Sequence, residues 1–268
     1  MSTSPIGVFD SGAGGLSVLN ALREALPRER FVYFADTGHA PYGERGDAFV
    51  AGRTRAVARY LLERCRIKAL VVACNTATAA AIHELRSEHL ALPVIGVEPA
   101  LKPAIAATRT GRIAVLATRV TLESRKFEAL RASLAGQAEF RIVPCDGLAG
   151  AIERGDAAAI ASLSERYLRA AGSFGNGPGQ IDTLVLGCTH YPFIAAELRR
   201  HCGESVRLID TGAPVALRTR RLLSDAGQLA EEGEGSVVLL SSAAPGALDA
   251  AAARWLARPA GTAILALA

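Results

Sequence analysis

Apolar residues along the 268-residue chain fall into two patterns. The first is a set of short, nearly continuous runs: IGVF (6–9), FVYFA (31–35), ALVVA (69–73), PVIGV (93–97), RIAVLA (112–117), FRIVP (140–144), TLVLG (183–187), VRLI (206–209) and SVVLL (236–240). Such runs suit parallel strands buried on both faces, where two-residue alternation is lost. The second pattern lies between most of the runs and recurs every three or four residues. Leu16, Leu19, Leu22 and Leu26 show it, as do Val57, Leu61 and Leu62. That is the spacing of a helix with one face in a core. Strand alternating with helix predicts an α/β fold with mostly parallel sheets.

Nine strands fit one wide sheet or two smaller ones, and an internal similarity favours two. ALVVACNTATAAAIHELR (69–86) can be laid beside TLVLGCTHYPFIAAELRR (183–200) with a one-residue gap. Both read as an apolar run, a small residue, a Cys, hydroxyl-bearing residues, then an apolar helix ending in Glu-Leu-Arg. PVIGVEPALKPA and LIDTGAPVA, each with Pro after a strand, mark crossing points between the halves. The expected organisation is a discontinuous first α/β domain, 1–97 plus 212–268, and a second α/β domain, 98–211. The Gly-rich GSFGNGPGQ (172–180) reads as a surface loop.

Composition excludes several classes. No apolar run approaches the roughly 18 residues of a membrane span. The start, MSTSPIGVFDSG, has no basic n-region and no signal-length hydrophobic stretch, so a soluble cytoplasmic protein is expected. The net charge of +4 comes from 27 Arg and 3 Lys against 26 acidic residues. Arg53, Arg55, Arg59, Arg64 and Arg66 are spread along a helix-like segment with few aromatics, which reads as a solvated face and argues against a nucleic-acid surface. The five cysteines, 65, 74, 145, 188 and 202, are odd in number, without CxxC spacing and without a His at ligand spacing. A disulfide framework and a metal site are therefore not expected.

Ligands of open parallel sheets bind beyond the carboxyl ends of strands. The residues there are Asp10 and Ser11, Asp36 and Thr37, Cys74 with Asn75 and Thr76, Thr118, Cys188 with Thr189 and His190, and Asp210 with Thr211. The set is small, polar and rich in hydroxyls, with Arg119 as its nearest cation. FDSGAGG imitates a dinucleotide turn, but Ser17 stands where G-x-G-x-x-G needs its third glycine, and Asp10 would repel a pyrophosphate. Pyridoxal phosphate would need a Schiff-base lysine, and Lys68, Lys102 and Lys126 follow no strand end in a phosphate loop. Cys74 and Cys188 are the sharper signal. Each sits between a strand and a helix N-terminus, where a thiol is activated and an anion attracted. Asn75, Thr76 and Thr189 can donate hydrogen bonds to a carboxylate. His190 and Asp10 can each assist one thiol. Cys65, Cys145 and Cys202 lack this setting and read as structural.

In IGVFDSGAGGLSVL (6–19), FADTGHAPYGERG (34–46), VVACNTATA (71–79), PVIGVEPALKPA (93–104), IAVLATRVT (113–121), VLGCTHYPF (185–193) and LIDTGAPVA (208–216), the sequence resembles the glutamate racemases of the cofactor-independent aspartate/glutamate racemase superfamily. DSGAGG, ACNTA and GCTHYP, in this order, are its specific motifs; the last 40 residues match loosely. The resemblance implies two similar α/β domains with mostly parallel sheets and the active site in the cleft between them. It implies Cys74 and Cys188 as the catalytic bases, assisted by Asp10 and His190. It implies substrate contacts at Asp10, Ser11, Tyr42, Gly43, Asn75, Thr76, Thr118, Thr121, Thr189 and His190. The family also has a glutamate in a helix between the cysteine motifs, matched by Glu153 in AIERG, as an assisting acid.

Implied too are glutamate as the small-molecule substrate, two-base Cα proton transfer with no cofactor and no metal, and supply of D-glutamate for peptidoglycan. No nucleic-acid or membrane partner is expected; a homodimer is compatible with this reading. Two other readings stand beside it. One is another superfamily member, an aspartate racemase or an isomerase or decarboxylase of small dicarboxylates. The other is a non-catalytic two-domain protein that closes on an acidic ligand, which would have no use for two matched cysteines.

Overall fold

A computed structural model describes residues 4–243, 245–256 and 263–266. Residues 1–3, 244, 257–262 and 267–268, which the expected first domain includes, lie outside the described residues. The chain begins with β1 (Ile6–Asp10), α1 (Leu16–Ala25), β2 (Arg30–Ala35), α2 (Asp47–Cys65), β3 (Ala69–Val72), α3 (Asn75–Glu88) and β4 (Val94–Gly96). After Val97 it enters a second compact unit, which lasts to Thr211. There it forms α4 (Leu101–Ala107), β5 (Arg112–Ala117), α5 (Arg119–Glu123), α6 (Arg125–Ala132), β6 (Glu139–Pro144), α7 (Leu148–Arg154), α8 (Ala157–Ala171), β7 (Thr183–Leu186), α9 (Ala195–Cys202) and β8 (Arg207–Ile209). From Gly212 it returns to the first unit with α10 (Gly212–Asp225), β9 (Ser236–Ser241), α11 (Pro245–Trp255) and β10 (Ala263–Ala266).

Each unit has its own sheet, and every strand pair is parallel. The strand orders are β10-β9-β2-β1-β3-β4 and β6-β5-β7-β8. All nine apolar runs lie on strands. The last strand, β10, was not among them. The central strands β1, β3 and β7 are buried throughout, as continuous apolar runs require. The edge strand β6 is not: Glu139 and Arg141 are exposed while Phe140 and Ile142 are half-buried, so alternation returns where one face meets water.

Leu16, Leu19 and Leu22 of α1 are fully buried, and the helix packs on α10. Burying each such leucine is worth about 1.5–3 kcal/mol before entropy is counted. At the opposite end of the first sheet from the carboxyl termini of the strands, Lys68 pairs with Glu29 at 2.7 Å, both side chains only 3% exposed. Lys68 also donates to the Gln228 carbonyl at 2.7 Å, and Ala230 N donates to Glu29 at 2.8 Å. The pair thus closes the loop after α10 onto the first sheet.

Both sheets share one plan. In each, the second strand lies on one side of the first and the third on the other, giving a switch point between first and third strands. The registers coincide as well. Ala73 N donates to Phe9 O at 2.7 Å, and Gly187 N donates to Leu116 O at 2.7 Å. Asp36 N donates to Asp10 O, and Cys145 N to Ala117 O, both at 2.9 Å. Cys74 and Cys188 therefore leave their sheets at equivalent places, the residue after that hydrogen bond, beside the switch point.

Candidate active site

In the first unit, β1 ends in Asp10, and the turn after it folds around this carboxylate. Asp10 Oδ1 accepts from Ser11 N at 2.7 Å and from Ser11 Oγ at 3.3 Å; Oδ2 accepts from Gly15 N. The turn is tight because Gly15 has no Cβ: one built there would lie 2.8 Å from Asp10 Cβ and 3.1 Å from Ala73 Cβ. Two amides of the turn, those of Ser11 and Gly15, are thus taken by Asp10, which argues against the dinucleotide reading of FDSGAGG. Ser11 Oγ then lies 3.6 Å from Cys74 Sγ, so one hydroxyl bridges Asp10 and the thiol.

Cys74 is the N-cap of α3, and its sulfur accepts from Ala77 N at 3.4 Å. A sulfur so placed faces the partial positive charge of a 14-residue helix. Asn75 and Thr76 follow, both buried. Neither polar atom of the Asn75 amide finds a hydrogen-bond partner among the described residues. Buried amides are rarely left so, and the cost points to a ligand role.

Tyr42 is tied into the first unit by its side chain. Its hydroxyl donates to Asp36 Oδ2 at 2.5 Å, so its one proton is committed inside the protein. Burial and the Asp36 carboxylate push the phenol far above its usual range and keep it neutral. Asp36 itself is fully buried. Burial opposes its charge, but Arg53 and Tyr42 outweigh this and hold it below the usual carboxylate range. Tyr42 and Gly43 open a short 3-10 turn, Tyr42–Glu44, whose leading N–H groups have no partner within the turn. The donors this segment offers a ligand are thus amides, and the phenol is their anchor.

In the second unit Cys188 follows β7 and precedes a 3-10 turn, Tyr191–Ile194. Gly187 passes so close to β5 that a Cβ would lie 2.8 Å from both Ala117 Cβ and Leu116 O. His190 Nδ1 lies 3.7 Å from Cys188 Sγ, and its Nε2 lies 2.5 Å from Glu153 Oε2 on α7. Burial works against charge on this ring; the sulfur and the carboxylate prevail and raise its pKa well above the ordinary value. A ring so placed can hydrogen-bond to both neighbours. Glu153 is therefore brought to the cysteine motif through His190.

Thr118 caps α5 and shares a 2.9 Å hydrogen bond with Thr121 Oγ1, while Thr189 is buried beside Cys188. Arg119 turns away to Asp146 at 2.5 Å and Glu123 at 3.5 Å. Cys145 takes the place in this unit that Asp36 holds in the first, a strand end the sequence reading passed over. It is buried, its thiol donates to Val143 O at 3.4 Å, and burial pushes its pKa up.

Among the described residues no three His, Cys, Asp or Glu side chains gather as metal ligands do. Among the same residues no helix is long and apolar enough to cross a membrane.

Known proteins resemble this chain in sequence and in fold. A sequence profile described as Asp/Glu/Hydantoin racemase matches residues 6–219. The chain is 49% identical over 243 residues to a glutamate racemase of Ralstonia nicotianae, covering 90% of this chain and 85% of that one. It is 47% identical over 229 residues to a glutamate racemase of Pseudomonas syringae pv. tomato, covering 85% and 81%. Its fold is similar to that of glutamate racemase isoform RacE1 from Bacillus anthracis, with a TM-score of 0.87, 31% identity and coverage of 99% and 97%. It is also similar to Escherichia coli glutamate racemase in complex with L-glutamate and the activator UDP-MurNAc-Ala, with a TM-score of 0.81, 33% identity and coverage of 98% and 99%. This chain therefore belongs to the Asp/Glu/Hydantoin racemase family and is a racemase, an isomerase.

Proposed function

We propose that the protein interconverts L- and D-glutamate by moving the Cα proton between Cys74 and Cys188. The observation that carries this is the pair of cysteines at equivalent strand ends, each with its own polar assistant. Inverting Cα means taking a proton from one face and returning one to the other. A single base would have to cross the substrate; two bases need not. One sulfur starts as thiolate and accepts the Cα proton, while the other starts as thiol and gives its proton to the opposite face. The roles are then reversed. By resemblance to the family, Cys74 acts on D-glutamate and Cys188 on L-glutamate. Ser11 with Asp10 assists the first, and His190 with Glu153 the second.

The substrate carboxylates are held by neutral donors: the amides of Tyr42 and Gly43, Asn75, Thr76, Thr118, Thr121 and Thr189. Charge that develops on the α-carboxylate as the carbanion forms is stabilised by such fixed donors. The chemistry requires no cofactor. D-glutamate so made supplies peptidoglycan synthesis in the cytoplasm.

The test is deuterium incorporation from D₂O at Cα of each glutamate enantiomer, with no cofactor added and L-aspartate as the comparison substrate. Racemisation and exchange of glutamate support the reading. Exchange on aspartate alone would move the assignment to an aspartate racemase, and no exchange on either would leave a binding protein.

A further inference from the structure

Arg53 was read from sequence as one of several solvated arginines on α2. The structure turns it inward. Its side chain is 28% exposed, and it holds a carboxylate that is fully buried. Nε donates to Asp36 Oδ2 at 2.9 Å and Nη2 to Oδ1 at 2.8 Å, a two-pronged fit that a lysine cannot make. Asp36 Oδ2 also receives the Tyr42 phenol at 2.5 Å, and Oδ1 faces His39 Nδ1 at 3.0 Å. The Tyr42 ring is 1% exposed and lies between Phe9 and Phe49, with ring centroids 6.2 and 6.4 Å away.

We propose that Arg53 is a positioning residue for racemisation: through Asp36 it fixes the Tyr42 phenol, and so orients the Tyr42 and Gly43 amides that receive a substrate carboxylate. This rests on the glutamate reading of the site. The Arg53 guanidinium is engaged by Asp36, so it acts through that carboxylate. Its effect falls on carboxylate capture, before any proton moves. A buried carboxylate stripped of its cation draws in water or a proton and loosens its hold on the phenol. An amide at position 36, in contrast, accepts the phenol proton without needing a cation.

The experiment is steady-state kinetics in both directions on folded Arg53→Met, Arg53→Lys, Tyr42→Phe, Arg53→Met/Tyr42→Phe and Arg53→Met/Asp36→Asn, with folding checked by circular dichroism. Arg53→Met is expected to raise KM about tenfold for both enantiomers and to change kcat less than about twofold, the signature of lost binding. Arg53→Lys should recover part of the loss, and Arg53→Met/Asp36→Asn more of it. Arg53→Met/Tyr42→Phe should be no worse than the poorer single variant, because both act through one anchor.

An unchanged KM in folded Arg53→Met, a fall confined to kcat, or additive losses in the Tyr42 double variant would overturn the proposal. Should Arg53→Met fail to fold, Arg53→Lys and the Asp36→Asn double variant decide the matter by the same KM criterion. A wild-type protein that does not racemise glutamate at all would instead overturn the function on which the proposal rests.

Discussion

Cys74 and Cys188 occupy one topological position in two sheets of the same plan, yet their surroundings differ in kind. Cys74 relies on dipoles: the N-terminus of a long helix, the Ala77 amide and the Ser11 hydroxyl. Cys188 precedes only a 3-10 turn and relies on two side chains, His190 and, behind it, Glu153. A repeated fold thus fixes where a sulfur stands without fixing what charges it. The first setting includes a helix N-terminus and a backbone amide; the second is built from side chains alone.

The comparison breaks most sharply by removing either sulfur. Cys74→Ala and Cys188→Ala should each lower racemisation about 10³-fold or more in both directions, as expected for loss of a general acid–base group. Cys74→Ala should still exchange the α-proton of L-glutamate with D₂O, and Cys188→Ala that of D-glutamate. Full racemase activity in either folded variant would end the two-base assignment.

Removing an assistant should sharpen the contrast. The two enantiomers have equal free energy, so kcat/KM must fall by one factor in both directions, about 100-fold for His190→Asn. The asymmetry shows in exchange. With Cys188 impaired, a proton taken from D-glutamate by Cys74 is more often returned to the same face. D-glutamate should then exchange its α-proton faster than it racemises. Ser11→Ala should give the opposite preference with a smaller fall. Equal exchange-to-racemisation ratios in both variants would deny that the assistants serve separate sulfurs.

The shared donors come next. Thr76→Ala and Thr189→Ala should each cost about 1–3 kcal/mol in kcat/KM if a buried carboxylate loses a donor. Arg119→Ala should change kcat/KM less than about twofold, since its cation is spent on exposed acidic partners. A far larger loss at Arg119 would refute the neutral-donor account.

The smallest expected effect is on stability against pH. The pKa of His190 is raised in the fold, so its contribution is complete below the unfolded value near 6.5 and fades as pH rises through the folded one. The pKa of Asp36 is lowered, so its contribution is complete above about 3.8 and fades as pH falls through the folded value. Alkali should weaken the second unit and acid the first. Melting curves of Glu153→Gln should lose the alkaline limb, and those of Asp36→Asn should blunt the acid one. The same limbs in both variants would assign them to other groups.

Much of this was legible in the sequence for a physical reason. A strand buried on both faces must be apolar throughout, so nine runs marked nine strands. Strand β10, four residues in AILA, is too short a signal beside an alanine-rich helix. The cysteines stood out because their flanks repeat. Glu153 came only from resemblance, since an acid on a helix ordinarily faces water; its meaning lies in His190, 37 residues away. Arg53 was misread because its long stem reaches a buried carboxylate from a helix whose other arginines include the exposed Arg59 and Arg64. That the Tyr42 phenol bonds Asp36 was not legible, because one sequence cannot say where a hydroxyl proton is spent.

The chain crosses between units after Val97 and again after Thr211, and this arranges their assembly in time. The second unit is one unbroken stretch, complete once its last residue has left the ribosome, whereas the first waits for α10, the partner of α1, and for β9, the partner of β2. A nascent chain whose residue 211 has just left the ribosome should therefore carry a finished Cys188 half and an unfinished Cys74 half, its first sheet still open along β2.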